Sequence, residues 1–138
     1  MSVEGISHIT LLVKDIERSA NFFTSVFDAE QVYSSDNQQF SLSKEKFFII
    51  GDIWLVLMEG SSLPERNYNH IAFKIPASEF DIFKKRLKEA GVECKKDRPR
   101  VKGEGASLYF FDFDNHLFEL HTGALEERLK TYRQLKNS

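Results

Sequence analysis

The stretches Ser7-His8-Ile9-Thr10-Leu11-Leu12-Val13 and Asn69-His70-Ile71-Ala72-Phe73-Lys74-Ile75 are two copies of one phrase. Each is a short apolar strand led by a histidine. Each runs into a helical pattern, Ile16 to Phe27 after the first copy and Glu79 to Ala90 after the second. The two histidines lie 62 positions apart (70 − 8), and the tails Asp28-Ala29 and Ala90-Gly91 keep that offset. Self-similarity at a fixed spacing marks a duplicated unit. Two histidines placed alike in similar halves predict a site on a pseudo-twofold axis.

Working outward, Asp15 is placed to cap the first helix, whose Ile16, Ala20, Phe23 and Phe27 form an apolar stripe. Ala29 to Ser34 and Gln39 to Leu42 read as a strand pair around Ser35-Asp36-Asn37. Phe47 to Ile50 and Ile53 to Met58 read as a hairpin around Gly51-Asp52. Gly60 to Asn67, with Pro64, is the linker between halves. In the second half Ser78 is the expected cap of a helix that turns Phe80, Phe83 and Leu87 inward and ends at Gly91. Val92 to Lys95 starts the next strand, the basic loop Lys96 to Gly105 follows, and Ser107 to Asp112 pairs with Leu117 to His121. Leu125 to Leu135 closes the chain as an amphipathic helix. The expected fold class is α+β, a βαβββ order written twice. One domain over 1–138 would hold a first module at about 5–60, a second at about 68–123 and a terminal helix at about 124–135.

Composition narrows the partners. A formal net charge of −2 over 138 residues gives no pull toward nucleic acid or an anionic membrane, and no apolar run is long enough to span a bilayer. The start Met1-Ser2-Val3-Glu4 lacks a basic n-region, so no leader is expected. The lone Cys94 excludes an internal disulfide and suits a reducing cytoplasm. The thirteen phenylalanines read as core filling.

A third chemical residue comes from aligning the halves. Ile53 to Gly60 matches His116 to Gly123 at an offset of 63 (116 − 53), which sets Glu119 against Val56. A carboxylate within Leu117-Phe118-Glu119-Leu120 is costly to bury without a partner. A divalent metal is such a partner, and two imidazoles with one carboxylate form a common three-ligand set with open positions. His8, His70 and Glu119 are therefore the expected metal ligands. Val56 withholds a fourth and leaves room for water or substrate, His121 is a competing ligand, and His116 reads as a turn residue.

The segment Tyr109-Phe110-Phe111-Asp112-Phe113-Asp114-Asn115-His116-Leu117-Phe118-Glu119-Leu120 resembles the signature of the vicinal oxygen chelate superfamily, with Phe113 and Asn115 where that signature usually has Pro and Gly. Within the superfamily the chain resembles the manganese-dependent fosfomycin-resistance epoxide hydrolases. The resemblance is carried by Ser7-His8-Ile9-Thr10, Phe40 to Phe47, Tyr68 to Phe73, Arg98 to Gly105 and Leu125 to Leu129, and it covers Gly5 to Arg133. It implies half-barrel sheets pairing across a homodimer, so that His8 comes from one subunit and His70 with Glu119 from the other. It implies Mn2+, or another divalent metal, holding a phosphonate oxygen and the epoxide oxygen of fosfomycin. It also implies that Glu45 is the general base for water, although Lys44-Glu45-Lys46 alone reads as an exposed charged turn. Thr10, Tyr68, Tyr109 and Arg128 match substrate-binding positions, and Arg100 and Lys102 in the basic loop are further candidates.

Three rivals remain at this level. A thiol transferase of the same superfamily, using glutathione, bacillithiol or cysteine, would keep the triad but have no need of Glu45. A non-catalytic drug-binding member would have no use for an intact triad. An extradiol dioxygenase would use iron, although the basic loop and Arg128 suit an anion better than a catechol.

Overall fold

The computed structural model describes residues 2–138. The chain divides into two compact units, one running to Glu65 and including Phe113–Asn115, the other comprising Arg66–Asp112 and His116–Ser138.

The first unit has the order β1 (Ile9–Val13), α1 (Ile16–Phe27), β2 (Glu30–Ser34), β3 (Glu45–Ile50), β4 (Ile53–Glu59). Its sheet runs β1-β4-β3-β2, with β1 parallel to β4 and the other pairs antiparallel. Asp15 caps α1 by accepting a hydrogen bond from Arg18 N at 3.1 Å. Asp28 stops the helix in the left-handed region at φ 54°. Helix α1 lies over β3 and β4. Phe23 and Val26 are fully buried from the helix side, and Phe48, Leu55 and Leu57 from the sheet. Because side chains alternate along a strand, the registers Phe47↔Val56, Glu45↔Met58 and Thr10↔Val56 collect Thr10, Glu45, Phe47, Val56 and Met58 on the face opposite α1. Trp54 shares that face, its ring 5.3 Å from that of Phe47.

The turn 113–115 completes this unit. Asp114, 2% exposed, accepts from Lys14 N at 2.9 Å and Ser62 Oγ at 2.5 Å. Phe113 sits beneath the Arg18 guanidinium, 3.7 Å from ring centre to Cζ, and against Phe22. Asn115 adopts φ 69°, and asparagine is the residue after glycine best able to occupy that region. Asn115 thus takes, without glycine, a backbone conformation that glycine adopts most readily.

The second unit has β5 (His70–Lys74), a 3₁₀ turn at Ala77–Glu79, α2 (Phe80–Glu89), β6 (Ser107–Phe111), β7 (Leu117–His121) and α3 (Leu125–Lys136). Its sheet is β5-β7-β6. The registers repeat those of the first unit position for position: Ala72↔Glu119 stands where Thr10↔Val56 does, and Tyr109↔Glu119 where Phe47↔Val56 does. Each match keeps the offsets of 62 and 63 read from the sequence. The α+β class and the duplicated sheet-and-helix modules hold.

Three local expectations do not. Gln39 to Leu42 forms no strand: β2 pairs instead with Glu45–Ile50, and Phe40 and Leu42 project into solvent. The alternation Phe40-Ser41-Leu42 imitates a strand, but the partner edge is taken by the longer apolar run that follows. Val92 to Lys95 contributes only a single bridge, Lys95↔Tyr109, so the second module is βαββ plus that bridge. Ser78 caps nothing. Pro76, fixed near φ −66°, opens a 3₁₀ turn, and α2 starts at Phe80 with no side-chain cap.

Candidate active site

Within the second unit one cavity of about 410 Å³ is lined by Tyr68, His70, Arg100, Tyr109, Glu119 and Arg128, together with His121 and Gly123. Six of the expected site residues are thus brought together. Period-two alternation explains it: Ser107 and Tyr109 on β6, Glu119 and His121 on β7 and His70 on β5 share one face. Phe110, Phe118 and Leu120 fill the other.

The His70 ring is fixed by the Tyr68 carbonyl, 2.8 Å from Nδ1. A carbonyl only accepts, so Nδ1 carries the hydrogen and Nε2 presents its lone pair. That lone pair lies 3.0 Å from Glu119 Oε1. With the ring neutral, two electron-rich atoms face one point and suit a cation between them, and a backbone carbonyl behind the imidazole is the usual orienting partner of a metal-bound histidine. The nitrogen and oxygen donors fit a divalent ion such as Mn2+.

Glu119, 5% exposed, is held on its other oxygen. Ser107 Oγ donates to Oε2 at 2.5 Å, and Arg100 Nη2 approaches the same oxygen at 3.4 Å. Burial pushes the Glu119 carboxyl up. Hydrogen bonds, Ser107's first and then Tyr109's, outweigh burial and hold it below the usual carboxylate range. Burial raises the Tyr109 hydroxyl well above an ordinary phenol, helped by Tyr68 and Glu119, so Tyr109 stays a donor.

Arg100 is far from a solvated loop residue. Its guanidinium binds Asp97 at 3.0 Å, Ser107 at 3.0 Å and the Tyr109 hydroxyl at 2.9 Å. The loop is locked by Glu104, which accepts from Arg98, from Tyr132 of α3 and from Val101 N. Those bonds, Arg98's above all, hold the Glu104 carboxyl down at about 2. Arg128 approaches His121 Nε2 at 3.1 Å. Tyr68, 59% exposed, forms the outer lip. Lys102 stays on the surface, outside this cavity.

The remaining candidates lie on the first unit. His8 immediately precedes β1, exposed, with its ring 4.4 Å from that of Trp54 and Nδ1 3.0 Å from Ser7 Oγ. Thr10 is exposed on β1. Among the described residues no three His, Cys, Asp or Glu side chains of the chain form a group able to hold a metal. Glu45 departs most from its expectation as a bare motif. It is the first residue of β3, only 8% exposed. Its backbone is clamped by Ser35, whose Oγ accepts from Glu45 N at 3.1 Å and whose N donates to Glu45 O at 3.0 Å. Lys46 points to the other face, where Nζ meets Glu17 at 3.2 Å and Ser34 Oγ at 3.1 Å. The charged triplet is a strand end whose glutamate is directed to the face that also carries Thr10.

Sequence reasoning missed Ser107. The signal was available: Ser107 is Glu45 moved by the repeat offset of 62 (107 − 45), and the two pair with equivalent residues, His121 and Met58.

Among the described residues no helix is long and apolar enough to cross a membrane. The Glyoxalase/Bleomycin resistance protein/Dioxygenase superfamily profile matches residues 5–120. A fosfomycin resistance protein FosX of Listeria monocytogenes is 58% identical over 132 residues, covering 96% of this chain and 99% of that one. A mutant form of the FosX protein from L. monocytogenes, solved in complex with Mn(II) and 1S,2S-dihydroxypropylphosphonic acid, superposes with a TM-score of 0.87 at 56% identity, covering 95% and 99%. A metallothiol transferase FosB of Staphylococcus saprophyticus is more distant, 36% identical over 138 residues, with coverage of 97% and 87%. By profile, identity and superposition alike, this chain belongs to the glyoxalase/bleomycin resistance/dioxygenase superfamily and, within it, to the family of FosX fosfomycin resistance proteins.

Proposed function

We propose that the chain hydrates the epoxide of fosfomycin to the vicinal diol in a Mn2+-dependent reaction. The observation that carries this reading is the dihydroxypropylphosphonic acid held with Mn(II) in the 56%-identical FosX relative. That ligand is the product of adding water, whereas a thiol transferase would leave a thioether. The lower identity to the metallothiol transferase points the same way.

His70 and Glu119 hold the metal, and His8 is the third ligand, supplied by a second copy of the chain. The exposed apolar side chains of Ile6, Leu12 and Leu125 support such a homodimer. The two modules then act as one functional domain in a cytoplasmic enzyme. When bound, the metal supplies Lewis acidity toward the oxygen of the opening ring.

The chain's residues do the rest. Glu45 takes a proton from water, the water oxygen bonds to an epoxide carbon, and the ring C–O bond breaks. The freed oxygen is then protonated from solvent. Positioned proton transfer of this kind gives roughly 10²–10⁴-fold. The place of Glu45 at the head of β3, on the face that also carries Thr10, supports the assignment. Arg128, Tyr68, Tyr109, Thr10 and Arg100 bind and orient the dianionic phosphonate through charge-assisted bonds. With Arg100 already bonded to four side chains, Arg128 is the principal phosphonate ligand.

The decisive experiment incubates the chain with Mn2+ and fosfomycin, with and without thiol, and follows products by phosphorus NMR. Diol formation independent of thiol is expected. Adducts forming only with thiol would refute the hydrolase reading.

A further inference from the structure

We propose that His121 and Ser107 are positioning residues forming a relay that ties the phosphonate-binding arginine to the metal-binding carboxylate. The two halves of substrate capture are thereby coupled. The proposal rests on the reading of Glu119 as a metal ligand and Arg128 as a phosphonate ligand.

The direction of every bond in the chain is forced by the chemistry of its members. A guanidinium only donates, so at the 3.1 Å contact between Arg128 Nη2 and His121 Nε2 the imidazole nitrogen accepts. A neutral imidazole accepting at Nε2 carries its hydrogen at Nδ1, which faces Ser107 Oγ at 2.6 Å. Ser107 also receives Arg100 Nη2 at 3.0 Å, so both lone pairs of its hydroxyl are filled. Its single hydrogen therefore goes to Glu119 Oε2 at 2.5 Å. With Oε2 engaged, Oε1 is the oxygen turned to His70. Arg128 thus sets the tautomer of His121, the tautomer orients the Ser107 hydroxyl, and the hydroxyl selects the carboxylate oxygen offered to the metal.

Neither residue has slack. Ser107 is 3% exposed and sits directly across the β6–β7 ladder from His121. Behind the imidazole lies Gly123, where a Cβ would come within 2.7 Å of His121 Nε2 and 2.6 Å of the Glu104 carbonyl oxygen.

The test is a double-mutant cycle on Mn2+ affinity, measured by EPR titration of the full chain with no substrate present. Arg128→Ala is made in the native and His121→Ala backgrounds. Direct repulsion between the Arg128 charge and the metal contributes equally to both and cancels, leaving the part transmitted by His121. The relay predicts that the effect of Arg128→Ala differs by about threefold or more between backgrounds, and that Ser107→Ala alone weakens Mn2+ binding about tenfold. A second cycle with Ser107→Ala, which removes one hydroxyl, predicts the same non-additivity and decides the matter if His121→Ala does not fold. Additivity within about twofold in a cycle whose variants fold overturns the relay while leaving the metal assignment standing. A Glu119→Ala variant that binds Mn2+ like the native chain overturns the metal assignment instead.

Discussion

The two modules hold the same ladder positions and use them for opposite purposes. Val56, Phe47 and Met58 occupy the first sheet where Glu119, Tyr109 and His121 occupy the second. The apolar set packs, with Phe47 against Trp54 and Tyr33, while the polar set forms one hydrogen-bonded group around Arg100. At the remaining position the polarity reverses. Glu45 has no hydrogen-bonding partner for its carboxylate among the described residues, whereas Ser107 is bonded to three side chains. A carboxylate with nothing to hold is available to water, and a hydroxyl with everything to hold is a fixture. Duplication supplied the frame, and divergence at four paired positions separated the reacting group from the binding groups.

The comparison is broken most severely by making the second module copy the first. Glu119→Val is expected to cost at least 100-fold in Mn2+ affinity by EPR titration, because the replacement has no donor atom. Installing the second module's residue in the first, as Glu45→Ser, is expected to lower kcat by roughly 10²–10⁴-fold with Mn2+ affinity unchanged. A matching loss of Mn2+ binding would show that Glu45 supports the metal rather than the water. Gly123→Ala sharpens the comparison from the side of the relay. Its methyl displaces His121, and about a tenfold loss in phosphonate affinity is expected by calorimetry with methylphosphonate.

The smallest effect concerns the latch that only the second unit carries. The Glu104 carboxyl is held near 2, below its unperturbed 4.5. A carboxyl depressed on folding contributes stability that is complete above the unfolded value and is lost as pH falls toward the folded one. Thermal unfolding is therefore expected to show a stability decline between about pH 4.5 and 2 that Glu104→Gln reduces. An unchanged slope in that variant would dissociate Glu104 from the acid response.

Much of this was readable in the chain. The repeat offset located β1, β5, β4 and β7, because both halves keep the same order of strand and helix at a fixed spacing. It also identified Glu119, since a carboxylate in an apolar run needs a partner. What stayed hidden depends on contacts distant in sequence. Nothing local distinguishes Lys44-Glu45-Lys46 from a surface turn, and its burial arises from the Ser35 clamp and the ladder to β4. Resemblance alone made the loop arginine a substrate-binding candidate, and its enclosure by Asp97, Ser107 and Tyr109 has no signal in the loop's own sequence. Phe40 and Leu42 looked like strand residues because alternation records only a period. It does not record whether an edge is free to pair.

The Asp114 turn bears on how the chain is made. Lys14 N and Ser62 Oγ have their acceptor, Asp114, 49 residues (114 − 65) beyond the end of the first unit's main segment at Glu65, on a turn inside the second half. At roughly 5–20 residues per second, a ribosome needs several seconds to deliver that acceptor after the first four strands are complete. The amino-terminal module must wait through that interval unfinished, so the halves of this duplication are no longer independent in birth. Separated genes for the two modules would yield a first half missing its own closing residue.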